Sequence, residues 1–355
     1  MASANDYMVD VAGLRKQFHV RPERWGAKPR VVHAVSDISF KLRPGVTMGI
    51  VGESGCGKST VARLLMGLVE ADGGDVRLAG QRLGYEPAQL KAVRRKVQMV
   101  FQDSFASLNP RMTVEASLMF GPVVHGMPRA EARRNAHDLL ARVGLEPARF
   151  AGRYPHEVSG GQRQRVNIAR ALALRPEVVI FDEAVSALDK SVEIQVLNLL
   201  QDLKAEFGLT YLFISHDLNV VQYISDQVLV MYLGKIVEIG PVQAVYEHPA
   251  HPYTRALLAS MPSMDPRRRT VAPPIVGDPP SPIDPPSGCR FRTRCPHAAV
   301  PCAEAEPMLV RTHTQTHADG SHQAACHMLN AAPGSWQPLV PTPPVHTRTT
   351  PGAMA

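Results

Sequence analysis

The chain has 355 residues, with 39 basic and 32 acidic side chains and a formal net charge of +7, which is only weak evidence for a nucleic-acid partner. No apolar run approaches the roughly 18 residues that span a bilayer, and residues 1–6 lack the basic and apolar regions of a secretory signal. We therefore expect a cytoplasmic protein that meets membranes only through partners.

Three regions follow one another along the chain. Residues 1–250 alternate apolar strands with periodic helices, which predicts an α/β domain with a largely parallel core sheet. Residues 251–330 are rich in proline and cysteine, which predicts a small irregular extension. Residues 331–355 are rich in Pro, Thr and Ala, and we expect a disordered tail there.

The first chemical motif lies at residues 52–59, which read GESGCGKS and match the phosphate-loop pattern G-x-x-x-x-G-K-[ST]. An apolar strand is predicted before it at 46–51, and a helix after it at 60–69 with Leu64, Leu65 and Leu68 on one face. This strand–loop–helix unit directs backbone N–H groups at a phosphate, and the alternative of a chance glycine-rich turn leaves the flanking elements unexplained. The predicted phosphate and metal contacts come from Gly52, Ser54, Gly55, Cys56, Gly57, Lys58, Ser59 and Thr60.

Further along the chain, strands and helices alternate. Strands are predicted at 97–101, Val178–Asp182, 210–215 and 228–233, and helices at 130–143 and Lys190–Phe207. Gly144 and Gly208 follow the two helices and are typical C-terminal caps.

Polar side chains stand at the carboxyl ends of three of these strands, where ligand sites of open α/β sheets gather. Asp182 is predicted to hold Mg²⁺ together with Ser59, and Glu183 to accept a proton from the attacking water. His216 would face the γ-phosphate, and Gln102 would contact Mg²⁺ or the water. Taken singly, an acidic strand end or a lone histidine is more often structural, so the prediction depends on their occurrence beside a phosphate loop.

A second glycine-bearing loop, SGGQ at residues 159–162, opens another predicted helix and offers a second anion site. Because the chain has one phosphate loop, we expect this second loop to close over the nucleotide of a partner chain in a head-to-tail dimer. Its contacts with ATP are assigned to Ser159, Gly160, Gly161 and Gln162.

These motifs, in this order, resemble those of ABC transporter ATPase subunits across about residues 8–245. The Walker A, Q-loop, signature, Walker B, D-loop and switch-histidine motifs correspond to 52–59, Gln102, 159–162, 178–183, 186–189 and His216. Val158 replaces the usual leucine before the signature, and Ala184 replaces the usual proline after the Walker B glutamate. The resemblance implies a P-loop ABC ATPase domain with a RecA-like core, an antiparallel β subdomain and a helical subdomain. It also implies an adenine-stacking aromatic residue upstream of Walker A, for which Phe18 is the first candidate and Trp25 the second.

Two segments resemble the C-terminal extension of oligopeptide/dipeptide importer ATPases: HPYTRALL at 251–258 and CRFRTRCP at 289–296. The resemblance implies a second ATPase subunit, expected to be a paralogue, two permeases and an extracytoplasmic binding protein. It also implies a peripheral position on the cytoplasmic face of the inner membrane. Nickel and glutathione importers share this extension, so the cargo stays open.

Four of the five cysteines, namely Cys289, Cys295, Cys302 and Cys326, fall within the extension. In a cytoplasmic chain, such clustering indicates metal or cluster ligation more than disulfides. Their spacing is not the paired C-x₂-C pattern of common zinc ribbons and is compatible with a [4Fe–4S] cluster, which some peptide-importer ATPases carry. Structural zinc and free thiols are the alternatives.

The motifs together predict the ATP-hydrolysing motor of an importer for di- or oligopeptides, with ATP and Mg²⁺ as cofactors. A soluble ABC ATPase acting on nucleic acid or ribosomes is the alternative, although the chain has one cassette and no sustained heptad pattern between Lys58 and Ser159. A metal-binding regulatory protein is a third reading that leaves the ATPase motifs unexplained.

Overall fold

The structure is a computed structural model that describes residues 7–20, 30–261, 277–312, 322–331 and 335–337. The strands are β1 (Val9–Val20), β2 (Arg30–Leu42), β3 (Thr47–Val51), β4 (Gly73–Leu78), β5 (Gln81–Arg82), β6 (Val97–Val100), β7 (Val178–Asp182), β8 (Thr210–Ile214), β9 (Gln227–Tyr232), β10 (Lys235–Pro241), β11 (Val310–Arg311) and β12 (Gln323–Ala324). The helices are α1 (Lys58–Leu65), α2 (Pro87–Lys96), α3 (Val114–Val124), α4 (Arg129–Arg142), α5 (Pro147–Phe150), α6 (Gly160–Leu172), α7 (Lys190–Phe207), α8 (Leu218–Ile224), α9 (Val242–Glu247), α10 (Pro252–Ala259) and α11 (Pro301–Glu304).

The larger sheet has the strand order β11-β12-β10-β9-β3-β8-β7-β6. Five of these strands, β9, β3, β8, β7 and β6, run parallel. Every residue of β3, β7 and β8 is buried, as expected for parallel strands covered on both faces. The carboxyl ends of these three neighbouring strands carry the phosphate loop, Glu183 and His216, so the sheet alone brings the predicted site together.

A second, four-stranded antiparallel sheet has the order β2-β1-β4-β5 and packs against the core through β2, which contacts β10 and α1. Helices α3, α4 and α6 pack against one another and form a helical subdomain between β6 and β7. Both features were implied by the resemblance, and the fold class is confirmed.

Among the predicted helices, α7 begins and ends where its apolar periodicity does, and Gly208 caps it at φ 64°. Helix α4 begins and ends one residue before its predicted bounds, and Gly144 follows it at φ 73°. Helix α1 is shorter than predicted and ends at Leu65, since Gly67 turns the chain at φ 59°. Leu68 lies beyond the end of the helix and is 48% exposed, whereas Leu64 and Leu65 are buried, so it does not continue their predicted face.

The extension begins with α10 and returns to the large sheet, where β12 pairs with β10. The predicted tail lies mostly outside the described residues, as does Trp25. Within the ranges that the structure describes, no helix combines the length and the apolar character that crossing a membrane requires.

Candidate nucleotide site

The phosphate loop passes between β3 and α1 with its backbone held tightly against neighbouring chain. Gly52 and Gly57 have φ of 149° and 109°. A Cβ at Gly52 would lie 2.2 Å from the carbonyl oxygen of Met231, and one at Gly57 would lie 2.3 Å from that of Ala34. No side chain fits at either position, which explains physically why glycine stands there.

Lys58 and Ser59 are the first two residues of α1, and their side chains contact different parts of the site. The Lys58 side chain is buried, and its Nζ donates to the carbonyl oxygens of Gly52 at 2.7 Å and Glu53 at 3.0 Å. The Ser59 hydroxyl donates to Oδ1 of Asp182 at 2.9 Å. The structure thus brings together the ammonium group predicted for the phosphates and two of the three predicted Mg²⁺ contacts, Ser59 and Asp182, while Gln102, the third, bonds to Glu183.

The remaining loop residues differ in exposure. Ser54 and Gly55 are exposed at the rim, whereas Cys56 is 4% exposed and packs inside the loop. Burial raises the pKa of the Cys56 thiol, so it behaves as a small apolar residue. Thr60 follows Ser59 on α1 and is half-buried.

Asp182 has the chemistry of a metal ligand. Burial raises the pKa of its carboxyl group, the Ser59 hydroxyl bond opposes that rise, and the charge of Glu183 adds to it. A carboxylate and a hydroxyl leave most ligand positions of a Mg²⁺ ion to phosphate oxygens and water, the arrangement that Mg²⁺ favours in nucleotide sites. The donor set of Ser59 and Asp182 therefore fits the ion.

Glu183 lies at the centre of a second cluster. Its Oε2 accepts from Nε2 of Gln102 at 3.0 Å and lies 3.4 Å from Nδ1 of His216. Glu183 also has a φ of 50°, and its N–H donates to the carbonyl of Ile214 on β8 at 2.9 Å. Left-handed backbone is strained for glutamate and persists where the surroundings over-determine it, often at active sites. Sequence reasoning found the three side chains but had no signal for this strain.

The signature loop, residues 159–162, forms the N-terminus of α6. The Ser159 hydroxyl accepts from the N–H of Gln162 at 3.3 Å, and the Gln162 side chain accepts from the N–H of Ser159 at 3.0 Å. This capping box fixes the start of the helix and leaves Gly160 exposed, with open space at its Cα. The loop borders an open cavity of about 540 Å³ together with Asp189 and Arg149.

That cavity is lined by no residue of the phosphate loop, as far as the described part of the chain shows. One chain therefore presents its phosphate loop and its signature loop at separate places. The adenine candidate Phe18 lies on β1, 38% exposed, with Nζ of Lys16 5.5 Å from its ring centre. The Lys16 ammonium group thus lies over one face of the ring, and the adenine-stacking role of Phe18 stays a prediction.

The four cysteines of the extension converge on one small cavity, which His251, His297 and Trp336 also line. Burial raises the pKa of Cys289 to about 11 and of Cys295 to about 12, and the neighbouring thiols contribute to both shifts. No group of three or more His, Cys, Asp or Glu residues has an arrangement that holds a metal ion within the described ranges. The predicted iron–sulfur or zinc site is therefore not confirmed.

Sequence reasoning missed the contacts between the extension and the phosphate loop. Arg294 pairs with Glu53 inside the loop, and the hydroxyl of Tyr253 accepts from the N–H of Glu53. Tyr253 and Arg294 lie in the two segments that resemble importer extensions, 251–258 and 289–296, but no motif rule connects either residue with a loop so far away in the chain.

Comparison with known proteins agrees with this geometry. The profile of the ABC transporter family matches residues 35–186, and that of the oligopeptide/dipeptide transporter C-terminal region matches residues 237–302. The chain is 48% identical to the oligopeptide transport ATP-binding protein AppF of Bacillus subtilis (strain 168), over 93% of this chain and 100% of AppF. It is also 48% identical to OppF of Escherichia coli (strain K12), over 85% of this chain and 92% of OppF.

Among solved structures, the chain resembles the dimeric post-hydrolysis state of the ATP-binding cassette MJ0796 bound to ADP and Pi. The TM-score is 0.58 at 28% identity, covering 66% of this chain and 99% of that one. The relatives named here are transport proteins and ATP-binding cassettes, and they lend no support to the alternative of an ATPase acting on nucleic acid or ribosomes.

Proposed function

The chain belongs to the ATP-binding subunits of ABC transporters, and on that premise we propose that it drives the import of di- and oligopeptides through partner permeases. The observation that carries the ATPase part is the pairing of two side-chain clusters at one sheet edge. Ser59 meets Asp182, and Gln102 and His216 meet Glu183. The oligopeptide transporters among its relatives, together with the matching C-terminal region, support the peptide cargo.

Each residue has a distinct role in this proposal. Lys58 binds the β- and γ-phosphates, and Ser59 and Asp182 hold Mg²⁺, which when bound offsets phosphate charge. Glu183 takes a proton from the attacking water, while Gln102 and His216 hold its carboxylate in place. The aromatic face of Phe18 stacks against adenine.

The separation of the phosphate and signature loops within one chain supports a shared site between two ATPase subunits. The Ser159 cap exposes the N-terminus of α6, where backbone N–H groups attract anions. We place this end against the nucleotide of a second ATPase subunit, a paralogue of this chain. The dimeric form of the structurally similar cassette MJ0796 supports the arrangement.

An apolar groove on the helical subdomain supports a permease contact. It spans about 630 Å³ and is lined by α3 and the start of α4. Phe120 and Val124 are 63% and 55% exposed there, unusual for large apolar residues at the surface. We propose that cytoplasmic loops of two permeases dock here, which places the subunit at the cytoplasmic face of the inner membrane. An extracytoplasmic binding protein would deliver the peptide.

The docking test uses the subunit expressed with its neighbouring permeases. Phe120→Asp should abolish co-purification and uptake of a radiolabelled peptide while leaving ATP binding by the isolated chain intact. Ile194→Asp is the matched control, because Ile194 is 55% exposed on α7, away from the groove. Unchanged uptake in Phe120→Asp would refute this groove as the permease site, and failure of the wild type to import any peptide would refute the cargo.

We also propose that the cysteine cavity binds a [4Fe–4S] cluster, with zinc as the alternative. Four thiols around one cavity are the donor set of either group, and a bound cation would lower their raised pKa values. The cluster would staple an extension that has little core of its own. Anaerobic purification with iron, sulfide and zinc assays tests this, and a protein free of all three would refute both forms.

A further inference from the structure

The extension contacts the phosphate loop through an ion pair between two residues that lie far apart in the sequence. Nη1 of Arg294 lies 3.1 Å and 2.9 Å from the two carboxylate oxygens of Glu53. The Arg294 side chain is 8% exposed and that of Glu53 is 22% exposed. A pair so shielded from water interacts more strongly than a surface salt bridge.

A second contact reaches the same residue from another direction. The hydroxyl of Tyr253, a fully buried residue, accepts from the backbone N–H of Glu53 at 2.9 Å. Both the side chain and the backbone of Glu53 are therefore held by the extension.

The two contacts share one rigid support. The rings of Tyr232, Tyr253 and Phe291 lie with centres 4.7 to 5.4 Å apart, and all three residues are buried. Nη1 of Arg294 also lies 3.3 Å from the Tyr232 hydroxyl. This aromatic cluster joins β9 of the core to the extension and fixes the direction of Arg294.

Glu53 has an electrostatic effect that needs this partner. It stands between Gly52 and Ser54 in the loop that receives phosphates, and its carboxylate carries the same sign of charge as they do. An unpaired carboxylate beside a partly buried phosphate site repels an anionic ligand, and a paired cation offsets that repulsion.

We propose that Arg294 and Tyr253 are positioning residues of the nucleotide site: Arg294 neutralises Glu53, and Tyr253 holds the loop backbone in its phosphate-binding shape. The inference deepens the proposed ATPase function and rests on it. It gives the extension a direct role in ATP affinity, separate from any group in the cysteine cavity.

The test measures ATP affinity of the full chain with a fluorescent ATP analogue, alongside thermal stability. Arg294→Gln should weaken binding about tenfold, since it leaves the Glu53 charge unpaired beside the phosphates. Adding Glu53→Gln to that variant should bring affinity back to within about threefold of wild type, because the repelling charge is then gone. A purely structural role of Arg294 predicts no such rescue.

Arg292→Gln is the matched control, because Arg292 lies in the same segment and the hydrogen bonds described for its side chain go to the carbonyl and hydroxyl of Ser287. It should leave affinity unchanged. Tyr253→Phe, which removes a single oxygen, should weaken binding severalfold and covers the case in which Arg294→Gln fails to fold.

Two outcomes overturn the inference: wild-type affinity in both Arg294→Gln and Tyr253→Phe, or a double variant that binds no better than Arg294→Gln alone. A wild-type chain that does not bind the ATP analogue would instead overturn the proposed function itself, so the two failures are distinguishable.

Discussion

The ATPase core and the C-terminal extension are held together by different forces. The strands β3, β7 and β8 are buried along their whole length and joined by backbone hydrogen bonds. In the described part of the extension, the strands are two residues long. The extension is held to the core instead by a few side-chain contacts. Buried Glu238 on β10 accepts from the N–H of His251 at 2.9 Å and from Nε2 of His322 at 2.7 Å.

Substitutions should therefore act differently in the two regions. The core places its catalytic residues by strand order, so changes at strand ends should affect chemistry without affecting the fold. The extension depends on single anchors, so one substitution should loosen the whole segment while the sheet survives.

The largest effect is expected in the core. Glu183→Gln should lower ATP turnover at least about a hundredfold, because an amide cannot accept the proton from water. ATP affinity and the melting temperature should stay near wild type, since glutamine keeps the size and the contact with Gln102. Phosphate release and analogue binding measure the two quantities, and turnover within about twofold of wild type would show that Glu183 is not the base.

In the extension, Phe291→Ala should cost about 4 kcal/mol locally, because it removes a fully buried ring from the contact with Tyr232 and Tyr253. Hydrogen exchange should rise across residues 277–312 while α7 stays protected. Val300→Ala, at a residue 54% exposed in the same segment, is the control. Equal loss of protection in the core would contradict the contrast between the two regions.

The junction between the regions should respond to pH. Burial lowers the pKa of His251 to about 4, from an ordinary value of 6.5; Arg255 also lowers it, and Glu238 opposes them. The folded chain thus binds this proton less readily than the unfolded chain, so the stability that neutral His251 provides is present above pH 6.5 and is lost as the pH falls to about 4.

Wild type should therefore lose about 3 kcal/mol more stability between pH 7 and pH 4 than His251→Asn, which keeps a capping side chain without titrating. Denaturant unfolding at both pH values measures the difference. His248→Asn, at a nearby exposed histidine, should follow wild type. Parallel curves for wild type and His251→Asn would rule out this histidine as the source.

The smallest effect tests backbone conformation in the core. Gly208→Ala should destabilise the chain by about 1 kcal/mol, because the C-terminal cap of α7 has φ 64° and open space around its Cα. Gly152→Ala, also in open space but without a left-handed φ, should be neutral. Melting curves compare the two, and equal shifts would exclude the backbone explanation.

Much of the core was predictable, because its signals are local. Apolar runs predict β3, β7 and β8, helical periodicity predicts α7, and short motifs identify Lys58, Asp182 and Glu183. The error in α1 has a local cause too: Gly67 ends the helix early and exposes Leu68, which periodicity alone placed on one face with Leu64 and Leu65. Neither the strain at Glu183 nor the pairing of Arg294 with Glu53 has a pattern in the nearby sequence.

The phosphate loop, the residues at the strand ends and the family of the chain follow from the amino-acid sequence alone, because each depends on spacing within a short segment. Three features are visible only in the folded chain: β8 lies between β3 and β7, Gln102 and His216 both meet Glu183, and the extension contacts the phosphate loop. Such contacts join positions up to 241 residues apart, and their formation depends on packing of the whole chain.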